Sequence, residues 1–402
     1  MSDSAPGAGA VAVDAGDLDL GGGLLALVRP ALDRVAPGGV VAVLSSSRAA
    51  REDLPAWCRA ERHAYLGCEV GPAGGDRHLV ARGPHDVPRA TDAAPPETAD
   101  AATGFAPRGA GVEPGGPAYP FTLLARDRVL PPETAQLWAQ AAASQWDANR
   151  DVPWHTVRPL PPALEAAVVQ VMTFLAENEL SALYVPARFL PRIHPAYVET
   201  AQLLAAQLGD EARHIEVFLR RARAGGGPPG VSSATTARSL RSLLDPEDFT
   251  EATFLLSVLG EGTFLDLLRF VEEHAPDEAT GVLARRARAD EARHVHFGLA
   301  HVRHALAHDA GLARRLEDAV RRRAATLAGA DGVPPRIADA LTILAARGDD
   351  PPSVARGHER YRALLNEMHW RLMNEEVEGD DRRKFEVRVQ AAENQGWTPS
   401  NV

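Results

Sequence analysis

Cysteine and aromatic residues are scarce in this chain, and the scarcity of cysteine limits the sites it can build. The 402 residues include only two cysteines, Cys58 and Cys68, and aromatic residues make up 5%. A disulfide framework or a four-cysteine zinc site would need more thiols than these two. We therefore expect a protein of a reducing compartment, the cytoplasm.

An excess of positive charge and long apolar runs are lacking as well. The formal net charge is -11, and an acidic chain without a basic face is poorly suited to neutralise phosphates, which argues against a nucleic-acid partner. No apolar run reaches the roughly 18 residues that a membrane helix needs. The first residues also lack a basic segment followed by an apolar one, so we expect neither export nor membrane insertion.

The N-terminal segment 11–83 has the pattern of a small α/β domain. Residues 40–45, VVAVLS, form a β-branched run after the turn Pro37-Gly38-Gly39, which indicates a strand. Apolar residues at helical spacing indicate helices at 23–35 and 49–62. With further strands near 64–70 and 77–82, the order is β-α-β-α-β-β, which predicts a two-layer domain.

The remainder of the chain is predicted to be mainly helical. Residues 84–117 are rich in Pro, Gly, Ala and Asp without periodicity, as expected of a flexible linker. A helical domain then covers 118–354, and a C-terminal helical extension covers 355–402. Four long amphipathic segments are predicted at 161–190, 195–223, 248–274 and 277–306, with a Gly/Pro/Ser-rich crossover at 224–235. Two helix pairs joined by a longer crossover predict a ferritin-like four-helix bundle.

A five-residue sequence occurs twice in this helical part. Asp210-Glu211-Ala212-Arg213-His214 recurs 80 positions later as Asp290-Glu291-Ala292-Arg293-His294. The Glu and His of each copy are three residues apart, so both project from one helical face and can bind one metal ion. A single Glu-x-x-His is more often solvated surface, but two identical copies favour a dimetal centre.

A dimetal carboxylate centre also needs one carboxylate from each of the other two helices. Glu261 lies on an apolar stripe of the third helix, where a carboxylate without a cation would be an uncompensated buried charge. On the first helix Glu179 and Glu177 compete, and a rotation of about 100° per residue places Glu179 with Met172 and Leu175 on the core face. Glu177 stays open as the alternative.

The residue types select the metal loosely. Four carboxylates and two imidazoles suit Fe(II) and Mn(II), and zinc less well, so we expect two Fe ions, with a mixed Mn/Fe pair as the alternative. Asp210 and Asp290 are expected to accept a hydrogen bond from the ligand imidazole of the neighbouring helix, with Arg213 and Arg293 as their partners. The competing interpretation is a set of surface salt bridges.

This pattern, over about 160–310, resembles the ferritin-like di-iron carboxylate superfamily. The Asp-Glu-x-Arg-His form is similar to its oxygen-activating branch, which includes ribonucleotide reductase small subunits, acyl desaturases, bacterial multicomponent monooxygenases and arylamine N-oxygenases. The resemblance implies that six residues are ligands, with Glu211 and Glu291 bridging: Glu179, Glu211, His214, Glu261, Glu291 and His294. Arylamine N-oxygenases have a further histidine four residues before the second motif glutamate, where this chain has Ala287.

The N-terminal segment resembles the sulfur-carrier family that includes the TusA sulfurtransferase. The resemblance rests on Asp14, the helix ending Ala36-Pro37-Gly38, the strand VVAVLS and the segment EDLPAWCRAERHAYLG. The active cysteine of that family lies in a Cys-Pro-x-Pro segment, and the matching positions here are Leu20-Gly21-Gly22-Gly23. A persulfide cannot form there, which implies a degenerate carrier fold used for docking a protein partner.

The resulting hypothesis is an O2-dependent di-iron oxidoreductase that oxidises a small organic substrate, in specialised biosynthesis rather than central metabolism. The sequence has no flavin, nicotinamide or iron-sulfur motif, so electrons are expected from a separate reductase or ferredoxin. Alternatives are a ferritin- or rubrerythrin-like storage or peroxide-handling protein and a scaffold with a structural dimetal site. A homodimer is left open. The substrate cavity is predicted beside Ala182, Leu183, Phe264 and Leu265.

Overall fold

The structure, a computed structural model, describes residues 11–71, 74–84, 95–112, 115–326 and 333–367. These residues divide into two units: one is formed by 11–84 and 100–119, the other by 95–99 and 120–367. The segment predicted as a linker contributes to both units and includes a short 3-10 turn at Ala101–Thr103. Its flexibility and the exact domain bounds stay predictions.

The first unit is a four-stranded mixed sheet with two helices. Its elements, in chain order, are β1 (Val11–Gly16), α1 (Leu24–Asp33), β2 (Val40–Ser45), α2 (Ala50–Ala60), β3 (Ala64–Val70) and β4 (Asp76–Ala81). The sheet order is β1-β2-β4-β3, with β1 parallel to β2 and the other pairs antiparallel. The predicted element order β-α-β-α-β-β is confirmed.

The core of this unit lies between one face of the sheet and the two helices. Alternate residues of the central strands, such as Val41 and Val43, pack with Leu24 and Val28 of α1 and with Cys58 of α2. Burial raises the pKa of the Cys58 thiol to about 11, so the group is a packing residue without thiolate character at neutral pH. The specific relationship to sulfur carriers stays a prediction.

The second unit is helical throughout its described regular structure. Its helices are α3 (Thr134–Ala143), α4 (Pro162–Ala187), α5 (Val198–Ala222), α6 (Ala234–Leu243), α7 (Phe249–Thr253), α8 (Glu261–Glu273), α9 (Glu278–His308), α10 (Leu312–Thr326), α11 (Pro335–Ala346) and α12 (Pro351–Glu367). The predicted fold class is confirmed: α4 and α5 form one antiparallel hairpin, α8 and α9 form the second, and α6 lies in the crossover between them. Among the described helices none is long and apolar enough to cross a membrane.

The helix ends follow from local chemistry. Proline occupies the first position of α4, where a backbone N–H would have no acceptor within the helix, so its absence costs no hydrogen bond. The Asp277 side chain caps α9 by accepting a hydrogen bond of 2.8 Å from the amide of Thr280. Residues 368–402 of the predicted C-terminal extension lie outside the described residues; the part before them forms α12.

The third bundle helix differs from the continuous α-helix that the sequence predicts. Residues Phe254–Gly260 form a π-helical segment between α7 and α8. A π turn spans more residues than an α turn, so the buried face shifts along the segment. Val258 and Leu265 are therefore only half-buried, whereas Phe264 is buried.

A glycine of α9 makes room for this π segment. A Cβ atom added to Gly298 would lie 2.7 Å from the Cβ of Ser257 and 3.3 Å from a methyl group of Val258. Such a separation is closer than van der Waals contact allows. The absence of a side chain at Gly298 therefore lets the π segment and α9 approach at this level of the bundle.

Two apolar clusters fill the bundle at different levels along its axis. On α4 the first cluster extends to Ala176 and the second begins at Ala182. The same division occurs on α5 and α9, where the gap includes the Asp-Glu-Ala-Arg-His repeats. On the third helix the gap lies between Leu256 of the π segment and Phe264 of α8, and it includes Glu261. A polar layer is thereby enclosed between two apolar layers.

Candidate metal centre

Six side chains proposed as ligands from the sequence meet in this polar layer. They form two groups of four, each with ligand atoms within 4.8 Å of one another. The first group is Glu179, Glu211, His214 and Glu291; the second is Glu211, Glu261, Glu291 and His294. All six are buried, with at most 4% of any residue exposed.

Glu211 and Glu291 belong to both groups. The Nδ1 atom of His214 lies 3.3 Å from an oxygen of Glu211 and 3.3 Å from Oε1 of Glu291. The Nδ1 atom of His294 lies 3.0 Å from the other oxygen of Glu211 and 3.3 Å from Oε2 of Glu291. Each of the two carboxylates thus directs one oxygen toward each histidine, which is the arrangement that a bridging carboxylate needs.

The two competing carboxylates of α4 occupy different environments. Oε1 of Glu179 lies 3.6 Å from Nδ1 of His214, and Glu179 is 1% exposed. Glu177 is half-buried and belongs to neither group. The difference reflects helical rotation, because two residues along α4 turn a side chain far from the core face.

Many polar atoms of the cluster lack hydrogen bonds. Oε1 of Glu179, both oxygens of Glu211, Nδ1 of His214, Oε2 of Glu261 and Oε1 of Glu291 are buried without a hydrogen-bond partner. Leaving such atoms unsatisfied is costly in a protein interior. All of these atoms belong to residues of the two ligand groups, so the donor set fits a pair of cations.

The aspartates of the two repeats bind across the bundle. Oδ2 of Asp290 on α9 lies 3.1 Å from Nε2 of His214 on α5. Oδ2 of Asp210 on α5 lies 3.3 Å from Nε2 of His294 on α9. Each aspartate thus orients the histidine of the opposite helix, with Nε2 toward the carboxylate and Nδ1 toward the cluster.

The two motif arginines bind these aspartates. Arg213 contacts Asp210 within its own helix and lies 3.3 Å from Oδ2 of Asp290. Arg293 contacts Asp290 within its own helix and lies 3.4 Å from Oδ2 of Asp210. Asp210, Asp290 and Arg293 are buried and Arg213 is half-buried, in contrast to the surface salt bridges considered as an alternative.

Three further residues, which the sequence analysis did not identify, support the network. The indole N–H of Trp146 donates to Asp290 over 2.7 Å, and its ring stacks on His214 with centroids 6.4 Å apart. Gln145 donates to Asp210 over 3.1 Å. Gln207 is buried and donates to Oε1 of Glu261 over 3.2 Å. A periodicity argument could place Gln207 on the core face, whereas Trp146 and Gln145 follow α3 in an irregular segment.

With ionised carboxylates and neutral histidines, the charges of the layer balance if two divalent cations are added. The layer contains six carboxylates and two guanidinium groups: Glu179, Asp210, Glu211, Glu261, Asp290, Glu291, Arg213 and Arg293. With neutral histidines this composition leaves four negative charges, which two divalent cations would neutralise. A buried excess of four charges must be compensated, either by cations or by bound protons.

Proton binding provides partial compensation when cations are absent. Burial and the neighbouring carboxylates Glu291 and Glu211 raise the pKa of Glu179 well above its usual value. Burial and the nearby Glu291 have the same effect on the pKa of Glu261. Burial opposes protonation of His214, but the surrounding carboxylates raise its pKa nevertheless. Cations at the centre would therefore displace protons.

A cavity of about 150 Å³ adjoins the cluster on the side of Glu179 and Glu261. Its walls are mostly apolar and include Ala182 and Phe264, as predicted. Leu183 and Leu265 were also predicted there, but neither lines the cavity. The π segment explains the error at Leu265, since it changes which residues of the third helix face inward.

A third group of metal-ligand residue types lies in the N-terminal unit, where Cys68, Asp76 and His78 approach one another. Asp76 is already paired with Arg51, whose Nη2 lies 2.6 Å from Oδ1. Partial burial raises the pKa of the Cys68 thiol. These observations indicate a protonated thiol beside a satisfied carboxylate, without an activated nucleophile.

Comparison with known proteins yields structural neighbours only. No protein-family model matches the chain, and no curated protein matches it in sequence. An R2-like ligand-binding oxidase mutant with an aerobically reconstituted Fe/Fe cofactor is 16% identical, with a TM-score of 0.47, over 64% of this chain and 92% of that chain. Another mutant, with an anaerobically reconstituted Mn/Fe cofactor, is 17% identical, with a TM-score of 0.45, over 65% of this chain and 93% of that chain. The Fe/Fe and Mn/Fe cofactors are properties of these two neighbouring proteins.

Proposed function

We propose that the protein is an O2-dependent oxidoreductase that binds two metal ions, Fe/Fe or Mn/Fe, and oxidises a small organic substrate in specialised biosynthesis. The main support is the buried layer of two four-residue ligand groups that share Glu211 and Glu291. Its charge of minus four, with neutral histidines, matches two divalent cations. Carboxylate and imidazole ligands suit iron and manganese.

The ligand residues would hold the metals in fixed positions. Glu179 and His214 would bind one ion, Glu261 and His294 the other, and Glu211 and Glu291 both. Asp290 and Asp210 would accept hydrogen bonds from the Nε2–H groups of the two histidines, so that each Nδ1 lone pair points at its ion. When bound, the metal pair supplies electrons to O2 and an oxidant to the substrate.

The environment of the ligands favours oxidation of a bound molecule over reaction with solvent. The apolar clusters on both sides exclude water from the ligand layer. The cavity beside Glu179 and Glu261 offers a space in which a small molecule could lie next to both ions. This adjacent cavity is the feature that favours an oxidase or oxygenase over a storage site.

An external electron donor completes the proposed reaction. Hydroxylation and desaturation each take two electrons from the substrate, whereas O2 takes four, so two electrons and two protons must come from elsewhere. We propose a separate reductase or ferredoxin as their source. We also propose that the N-terminal unit docks a protein partner and that the protein works in the cytoplasm.

Metal analysis combined with O2 consumption tests the proposal. The purified full-length protein is analysed for Fe and Mn, loaded with Fe(II) without oxygen, reduced and then mixed with O2 in an oxygen electrode. We expect about two metal ions per chain and rapid O2 uptake. Glu261→Gln should lose metal and O2 uptake, whereas Glu177→Gln, on α4 but outside the cluster, should retain both.

Other outcomes would support one of the alternative functions. Bound metal without O2 uptake would indicate a scaffold with a structural dimetal site. Oxidation and accumulation of many Fe ions per chain would indicate storage. Rapid reaction with peroxide but slow reaction with O2 would indicate a rubrerythrin-like role. Each of these results would contradict the oxygenase proposal.

A further inference from the structure

One cationic side chain of the substrate cavity has no carboxylate partner among the described residues. Arg323 of α10 lines the same cavity as Glu179 and Glu261. Its Nη1 atom is buried without a hydrogen-bond partner, and Nη2 donates only to the hydroxyl of Ser239 over 3.3 Å. Arg322, the preceding residue, is by contrast exposed and paired with Glu251 over 2.7 Å.

The position of Arg323 is energetically unfavourable without an anion. Arg323 is half-buried as a residue, but its Nη1 atom is buried and loses hydration, and a single neutral hydroxyl compensates for little of that loss. Burial lowers the pKa of Arg323 to about 10, so the side chain still carries its charge at neutral pH. A negatively charged group placed in the cavity would supply the missing partner.

The remaining cavity wall indicates that the rest of the ligand is apolar. It is dominated by leucine and phenylalanine side chains, among them Phe174, Leu255 and Phe264. The volume of about 150 Å³ is comparable to that of a protein cavity that holds benzene. An apolar body about the size of one phenyl ring therefore fits within the cavity.

We propose that this cavity binds a small monocarboxylate, with its carboxylate on Arg323 and its apolar body directed toward Glu179 and Glu261. Ser239 contributes a hydroxyl beside the guanidinium group. The atoms nearest the metal ligands would then be those remote from the carboxylate. This assignment of the substrate class rests on the proposed function, although the binding itself does not require O2 chemistry.

Binding of benzoate and of its neutral analogue benzamide tests the assignment. Both are titrated by calorimetry into the full-length metal-loaded protein and into its Arg323→Gln and Arg322→Gln variants. We expect benzoate to bind at least tenfold more weakly to Arg323→Gln and equally well to Arg322→Gln. Benzamide should bind the three proteins equally, because it carries no charge.

Two further measurements distinguish an anion site at Arg323 from a structural role of this side chain and from binding of benzoate to the metals. Arg323→Gln should be at least as stable to urea as the wild type in the absence of ligand, because it removes an unpaired buried charge; a clear loss of stability would identify a structural role and overturn the proposal. After metal removal, benzoate should still prefer the wild type to Arg323→Gln. If benzoate binding instead disappears when the metals are removed, and the wild type and Arg323→Gln bind benzoate equally well with metals present, the carboxylate lies on the metals and the proposal is wrong.

The two proposals fail in different ways. Absent O2 uptake with Arg323-dependent benzoate binding would refute the oxidoreductase but keep the anion site. Normal O2 uptake, together with equal benzoate affinity of the wild type and Arg323→Gln, would refute the anion site alone.

Discussion

Replacement of Gly298 by alanine tests whether the close approach of α9 and the π segment positions Glu261. In an ordinary helix this change stabilises by about 1 kcal/mol. Here the added Cβ would lie 2.7 Å from the Cβ of Ser257, so the backbone of the π segment must move by about 0.7 Å to restore a tolerable contact. Overpacking of this kind costs about 1–3 kcal/mol.

Gly209→Ala is the matched control. Gly209 lies within α5, and a Cβ atom there meets nothing within 4 Å. Both variants gain the same helix propensity, so the difference between their free energies of unfolding, about 1–3 kcal/mol, isolates the contact at Gly298. Urea unfolding of the metal-free proteins measures this difference.

The same displacement should reach the metal centre. Ser257 precedes Glu261 by one helical turn, and metal sites tolerate displacements of only about 0.5 Å. We expect Gly298→Ala to weaken Fe(II) binding about tenfold, as loss of support for a ligand does elsewhere, while Gly209→Ala leaves it unchanged. Equal stability and equal metal affinity of the two variants would refute this account of the π segment.

Three further predictions concern buried polar groups. Arg221→Leu should lower the free energy of unfolding by about 3–5 kcal/mol, because it leaves the buried carboxylate of Asp277, 3.0 Å away, without its partner; a urea midpoint close to that of the wild type would contradict this. Asp290→Asn should weaken metal binding by about 10–100-fold in a competition titration, and unchanged affinity would show that its contact with His214 is dispensable. Burial lowers the pKa of His301 to about 3, so the unfolded chain takes up a proton at this residue first as pH falls below about 6.5. The contribution of His301 to stability should therefore fall by about 2 kcal/mol from pH 7 to pH 5. His301→Gln should remove that part of the pH dependence, and an unaltered urea-midpoint profile would argue against a neutral buried imidazole.

The sequence by itself was sufficient for most of the architecture. Helical periodicity located the four bundle helices to within a few residues, because each has an apolar face several turns long. The order of strands and helices in residues 11–83 followed from β-branched runs and turns. These signals are local, and local chemistry decides where an element begins and ends.

The sequence also identified the ligand residues of the polar layer as candidates. A repeated Glu-x-x-His, together with a glutamate on each remaining apolar face, restricts the geometry strongly, because helix spacing fixes which side chains share a face. The structure places Glu179, Glu211, Glu261 and Glu291 together with both histidines. The binding of metal by these residues stays a prediction.

Only the tertiary structure decided how the layer is supported and where a substrate could lie. Trp146 follows α3 and reaches Asp290 across 144 positions of the chain, a pairing without any local signal. The π segment, which excluded Leu265 from the cavity, depends on the missing side chain of Gly298 on another helix. Such contacts join distant parts of the chain, so no pattern within one helix reveals them.

For Arg323, the sequence determined one part of its environment and the tertiary structure decided the other. Within the run Arg321-Arg322-Arg323 its residue type suggests an exposed charge, yet it follows Leu316 and Ala319 on the buried stripe of α10. The face test that selected Glu261 would have selected Arg323 as well. The sequence thus determined the helix face on which the charge lies. The packing of α10 against α6 and the π segment decided that this face lines a cavity in which, among the described residues, Arg323 has no carboxylate partner.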